Sequence, residues 1–335
     1  MPMLTGRAQI AIKQEGTAGT SETLALADAI MPKGESTWDP DVVMVPREGQ
    51  TSSLDSQGSV VGTKAAKIKF AQYLEGAYNH STGAVAAPVA GSTEPAFSVP
   101  FKGCGALLTV SGAGGSEIAT YTPSSTTISD ESTGAYCTVS MYLDGKRYMI
   151  HGAVGNCVLT LQVGHPILAE YEFTGVWNTP DDEAFLVPVY PTFAPPAFLS
   201  ASMSVIGSYT TARLQTLKLD FGNQITMRPN PNGANGILSY QITGRKPTGS
   251  FDPEETLVSV KDWYAEWVAG TTGAITTGAF PSGGTQYNKF TLNVPKSQYT
   301  KVGLGSRDGI ATAAHDFEAR ANSVAGDDSW SLVVS

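Results

Sequence analysis

Apolar and polar residues alternate with a period of two along much of the chain, the pattern of strands that bury one face and wet the other. In "KIKFAQYLEG" Ile68, Phe70 and Leu74 share a face; in "YCTVSMYLDG" Cys137, Val139, Met141 and Leu143 do; in "VLTLQVG" Leu159, Leu161 and Val163 do. Farther on, Leu217, Leu219 and Phe221 fall together, as do Leu238, Tyr240 and Ile242, then Phe290, Leu292 and Val294, and finally Trp330, Leu332 and Val334. Seven strands at least are predicted, and Asp144-Gly145 in "MYLDGKRYMIHGAVGN" marks a hairpin turn between two of them.

One segment breaks the period. "DPEETLVSVKDWYAEWVAG" offers Asp252 as N-cap, Pro253 in the first turn, Glu254 and Glu255 at the positive helix end and Gly270 as a stop. Leu257, Val260, Tyr264, Trp267 and Val268 then form one stripe, expected to cover a sheet. A shorter helix is expected in "EPAFSVPFKGCG", limited by Pro100.

The order strand, helix, further strand and closing segment occurs in both halves, with a hairpin in the first and "NKFTLNVPK" in the second, which suggests a tandem duplication. The Pro-rich "VPVYPTFAPPAFLSA" (187–201) reads as a linker between domains at 1–186 and 202–335. Two Gly- and Ser-rich stretches, 45–62 and 269–286, are too long for ordinary hairpin turns. They are expected to be mobile or to make contacts.

Composition agrees with a mainly β fold: 335 residues, 36 Gly, 20 Pro and 15% charged residues suit short strands and tight turns. The net charge of −9, with no run of Lys and Arg, argues against tight nucleic-acid binding. It is compatible with nucleic acid passing close by without adhering, since like charges repel. The first residues lack the pattern of a cleaved signal, no apolar run reaches membrane-spanning length, and Cys104, Cys137 and Cys157 are expected as reduced, buried thiols.

Candidate chemistry is thin. His80, His151, His165 and His315 are scattered without metal-ligand spacing. His151 with Cys137 and Cys157 is the best nucleophilic constellation, but Cys137 has the parity of a buried small hydrophobe. "VSGAGGSEI" (110–118) lacks the Lys-Ser/Thr of a phosphate loop, and no Gly-x-Ser-x-Gly elbow occurs. Asp181-Asp182 and Asp327-Asp328 read as solvated strand ends, and Asn79-His80-Ser81 as a chance sequon. Neither an enzyme nor a cofactor site is expected.

The succession "FKGCG", "TYTPSS" and "TVSMYLDGKRYMIHGAVGNCVLTLQVGHPILAEYEFTG" resembles the N-terminal portion of tailed-phage major tail tube proteins, with their Cys-Gly helix end, Asp-Gly hairpin, Gly-Ala-x-Gly-Asn turn and closing Phe-Thr-Gly strand. "LKLDFGNQITMRPNPNGANGILSYQITGRKPTGSFDPE" followed by "WYAEWVAGT" is similar to the second half of such proteins. The chain departs from the pattern at Ser98-Val99-Pro100.

The resemblance implies a structural subunit of a long, non-contractile (siphophage-type) tail, built of two tandem β-sandwich or barrel domains, each with a flanking helix. It implies a trimeric ring with pseudo-sixfold symmetry, or a hexamer if only one domain contributes, stacked into a hollow tube. The implied partners are other copies, a tape-measure protein in the lumen, tail terminator and tail tip proteins, and DNA that passes without specific binding; the place is the virion, after synthesis in the host bacterial cytoplasm. A capsid decoration or receptor-binding module is the alternative. The loop bearing Arg47, Glu48 and Asp55 stands where such proteins extend an arm to the adjacent ring, and Lys146-Arg147 at the hairpin tip is a candidate subunit contact. Thr138, Ser140, Thr160, Gln162, Lys218 and Asp220 are candidates to face the lumen.

Overall fold

The computed structural model describes residues 3–50, 55, 57–132, 134–207 and 209–335. Before residue 187 it contains β1 (Ala8–Gln14), β2 (Ala29–Ile30), β3 (Thr37–Val45), β4 (Val60–Tyr73), α1 (Ser98–Gly103), β5 (Ala106–Ser111), β6 (Ile118–Pro123) and α2 (Ser125–Ser129), followed by β7 (Cys137–Leu143), β8 (Lys146–Gln162), β9 (Leu168–Trp177) and β10 (Asp181–Asp182). After residue 201 come β11 (Leu214–Asp220), β12 (Asn223–Pro229), β13 (Ile237–Arg245), β14 (Thr248–Pro253), α3 (Trp263–Val268), β15 (Thr272–Thr276), β16 (Phe290–Arg307), β17 (Ile310–Ala319) and β18 (Ser331–Val334). The fold is mainly β, as the alternation predicts.

The strands pair in the order β2-β1-β7-β8-β11-β14-β17-β16-β18-β6-β5, with β9 and then β4 and β3 added on the far edge of β8 and β12–β13 as a separate pair. Asp144-Gly145 turns β7 into β8 with φ of 45° and 96°, the left-handed pair that a two-residue type I′ turn needs. Asp308-Gly309 does the same between β16 and β17, with φ of 50° and 85°. One edge of β8 is shared: β7 takes its first half and β11 pairs Thr216–Asp220 with Gln162–Val158. Strands from either side of 187–201 therefore lie hydrogen-bonded in one sheet, and β18 closes likewise onto β6. Segment 187–201 is itself anchored, with Phe198 bridged to Val163 and its ring 4.9 Å from Phe280.

The core runs through both halves. Phe101 of α1 packs edge-on to Phe221 at 5.4 Å, and Phe221 stacks on Trp330 at 4.1 Å. Most predicted inward residues are buried, among them Ile68, Phe70, Leu159, Leu161, Leu217, Leu219, Phe290, Leu292 and Val294. Val163 is an exception, exposed just beyond β8, and in β13 Tyr240 and Ile242 are buried as expected while Ile237 is buried in place of Leu238, where the β12–β13 ladder is bulged.

Two expectations need correction. The helix predicted from Asp252 begins only at Trp263. Phe251 is needed in the core beside His315 and Phe317, and the Asp252 carboxylate accepts from the Gln215 and Thr216 N–H groups, so β14 holds these residues through Pro253. Asp262 caps the six-residue helix by accepting from Ala265 N–H at 2.8 Å. Trp263 is its buried residue, while Leu257, Val260, Tyr264, Trp267 and Val268 are exposed. Secondly, Thr138 and Ser140 do not face an open surface; both are fully buried in β7, which is covered on two faces. The short helix near Pro100 does form, because Pro100 lies in its first turn, where an N–H has no intrahelical partner to lose.

Candidate assembly surfaces

β3 and β4 stay paired as far as Val45 and Val60, so both ends of the predicted 45–62 loop belong to strands. β4 joins β9 only from Ala65 onward, which leaves residues 60–64 paired with β3 alone. The result is a two-stranded ribbon projecting from the sheet, its base steadied by the Lys64 N–H donating to Asn235 O at 3.2 Å. Val43, Met44, Val45, Val60 and Val61 are about half exposed on it (45–54%). Aliphatic residues on a protruding edge ribbon are what a monomer avoids and an assembling subunit uses.

Arg47 and Glu48 lie exposed beyond the ribbon, as does Asp55, while residues 51–54 and 56 of the same loop lie outside the described residues. Arg47 Nη2 donates to Gln57 Oε1 at 3.3 Å, and Gln57 Nε2 reaches Gly49 O at 3.4 Å, so the two sides of the loop are tied together.

At the β7–β8 turn, Arg147 donates to both oxygens of Asp181, Nε at 3.0 Å and Nη2 at 2.5 Å, and Nη1 pairs with Glu183. It thereby holds β10 against β8. Lys146 Nζ stands 5.2 Å over the Tyr148 ring. Asp144 accepts from Leu4 N–H at 3.0 Å and Arg7 Nη1 at 2.5 Å, fixing the N-terminal segment to the same tip.

The reactive side chains are placed as core. Cys104, Cys137 and Cys157 are free thiols with 2% exposure or less, and burial pushes each thiol well above its ordinary range, which keeps it protonated and weakly nucleophilic. Cys137 Sγ donates to Ala135 O at 3.6 Å. Burial lowers the His151 pKa, with a hydrogen bond to Asn178 opposing it. Among the described residues no three His, Cys, Asp or Glu side chains cluster as metal ligands.

Two features escaped the sequence. Glu15, just past β1, is buried to 3% exposure and accepts from Thr138 Oγ1, Gly152 N–H and Gly19 N–H. Its flanking "QEGT" gives no sign of burial. A groove of about 770 Å³, lined by both polar and apolar residues, lies between the outer face of β4–β9 and the β12–β13 pair. In it Lys67 and Lys69 each approach Glu172 to 2.8 Å, and these two hydrogen bonds hold the Glu172 carboxyl below its ordinary range.

The family model described as phage tail tube protein matches residues 5–326. The chain belongs to the phage tail tube protein family. Curated proteins compared with the chain gave no match. Membership makes this a structural protein of the virion tail, one that assembles with copies of itself and other tail proteins into a tube. No helix among the described residues is long and apolar enough to cross a membrane.

β15 follows one edge of β16 only as far as Gln298, and among the described residues no strand lies along that edge beside 299–307. This open edge ends at the Asp308-Gly309 turn, where Leu304 and Ile310 are exposed.

Proposed function

We propose that the protein is the major tail tube subunit of a long, non-contractile phage tail, forming rings that stack into the conduit for DNA. The observation that carries this is the edge of β16 over 299–307, along which no strand lies among the described residues, in a sheet that runs through both halves of the chain. Backbone donors and acceptors along such an edge are satisfied when the next copy adds a strand, and a ring leaves no edge over.

Two tandem units, divided at 187–201, supply six per ring from three chains, the pseudo-sixfold trimer; a hexameric ring is the alternative. The β4-α1-β5 order before that segment and the β14-α3-β15 order after it support the duplication. Arg47, Glu48 and Asp55 serve contacts between rings, and Lys146 and Arg147 contacts between subunits. The net charge of −9 disfavours adhesion to DNA in transit. The chain acts as structure rather than as an enzyme, is made in the host bacterial cytoplasm, and meets the tape-measure, tail terminator and tail tip proteins.

Negative-stain electron microscopy of concentrated purified protein tests this, with native mass measurement of any rings. Hollow tubes with three chains per ring are expected. Monomers or trimers that never polymerise would favour a capsid decoration or receptor-binding module instead.

A further inference from the structure

The register fixes which end of the molecule each projection leaves. Lys146, at the start of β8, is level with Asp182, and Ile150 with Trp177; Val176 is level with Ala65, beyond which the β3–β4 ribbon departs. Gln162, at the other end of β8, is level with Thr216, and the ladder steps from there through Leu214↔Pro253 and Glu254↔Thr312 to Arg307↔Ile310. The ribbon and the β16–β17 turn thus project from opposite ends of a strand that spans up to about 50 Å.

Around the β16–β17 end a second set of apolar residues is exposed: Leu257 (76%), Val258 (69%), Val260, Leu304 (71%) and Ile310. Part of the charge at this end is paired within the chain. Arg307 Nη1 lies 3.3 Å from Asp252 and its Nη2 3.6 Å from Glu254, which is also 3.6 Å from Arg213 Nη1. The surface offers a partner apolar contact beside the exposed Asp308 and Arg213, and the ribbon with Val43, Met44, Val45, Val60 and Val61 offers apolar contact from the other end.

We infer that the ribbon of one copy packs on the Leu257–Val260 and β16–β17 surface of a copy in the next ring. The occupant is a second copy because the two surfaces face opposite ways on one chain, which makes the contact heterologous and repeating, the geometry of an open stack. Covering both also removes two exposed apolar sites at once, and a two-stranded ribbon gains the third layer it lacks alone. The inference rests on the tail tube function proposed above and adds the receiving surface.

The test uses the full chain with Val45→Asp on the ribbon and, separately, Leu257→Asp on the receiving surface. Each variant alone should stop at single rings, with sedimentable polymer reduced at least tenfold. Mixed in equal amounts, they should form stacks of two rings and no longer, since one variant keeps a working receiving surface and the other a working ribbon. Polymer from either variant at the level of the parent, or a mixture that stays at single rings, would overturn the inference. Should an Asp variant fail to fold, Met44→Cys and Leu257→Cys chains co-assembled and oxidised should give a disulfide between the two kinds of chain; absence of that product from assembled tubes would overturn it equally. Parent protein that forms no tubes would instead overturn the tube function itself.

Discussion

Glu15 and Thr138 meet across β1 and β7, the Thr138 hydroxyl donating to Glu15 Oε1 at 2.9 Å, while Gly152 N–H donates to the same oxygen at 2.7 Å. Burial pushes the Glu15 carboxyl up from 4.5 to about 7, against the lowering effect of these donors and of Gly19 N–H. The folded chain therefore holds this proton more tightly than the unfolded chain, and stability is lost as pH rises from 4.5 to about 7. Glu15→Gln should remove that share, up to about 3 kcal/mol. Thermal midpoints at about pH 5 and about pH 8 check it: the parent should fall more than the variant. Glu75, which burial also pushes up to about 7, leaves a residual slope in both.

Gly152, in the glycine-flanked run after His151, sits at φ 53°, and a Cβ there would stand 3.0 Å from Ser239 Cα and 3.1 Å from Gly19 Cα. Its N–H serves Glu15, so strain here also disturbs the buried carboxylate. Gly152→Ala should destabilise by about 1–3 kcal/mol, seen as a lower denaturant midpoint at unchanged slope.

The strands were legible because a sheet with one buried face writes its parity into the chain, and so was the Asp144-Gly145 turn, whose left-handed pair few residues tolerate. The helix start at Asp252 misled because its capping signals are local, whereas Phe251 and the Asp252 carboxylate are claimed by partners in β17 and β11. Thr138 and Ser140 misled for a related reason: parity separates two faces but does not say that both are covered. The apolar stripe at Leu257–Val268 has the spacing of a core face and lies on the surface, because spacing along one segment does not say whether any other element is left to cover it. Nothing near Glu15 in sequence announces Thr138 or Gly152, which lie more than a hundred residues away.

Phe101 joins the two halves of the core, within 4.8 Å of Phe97, 5.6 Å of Tyr121 and 5.4 Å of Phe221 by ring centroids. Phe101→Ala should cost about 3–5 kcal/mol. Because its neighbours come from both sides of 187–201, unfolding followed by fluorescence and by circular dichroism should stay coincident, with a single lowered midpoint.

Removing residues 47–58 deletes Arg47, Glu48 and Asp55 together and leaves Pro46-Ser59 to connect the paired Val45 and Val60. Proline cannot take the positive φ of a two-residue hairpin turn, so replacing 46–59 by Asn-Gly is the cleaner form of the experiment. The ribbon ladder below the turn is untouched, and the far-ultraviolet spectrum and thermal midpoint should match the parent. Rings should persist and tubes should be lost, read by negative-stain microscopy. Tubes of normal length from the shortened chain would show that stacking does not use Arg47, Glu48 or Asp55. The ribbon's aliphatic residues would then hold the rings by themselves, and the double variant Arg47→Ala, Glu48→Ala in the full-length loop should likewise polymerise as the parent does.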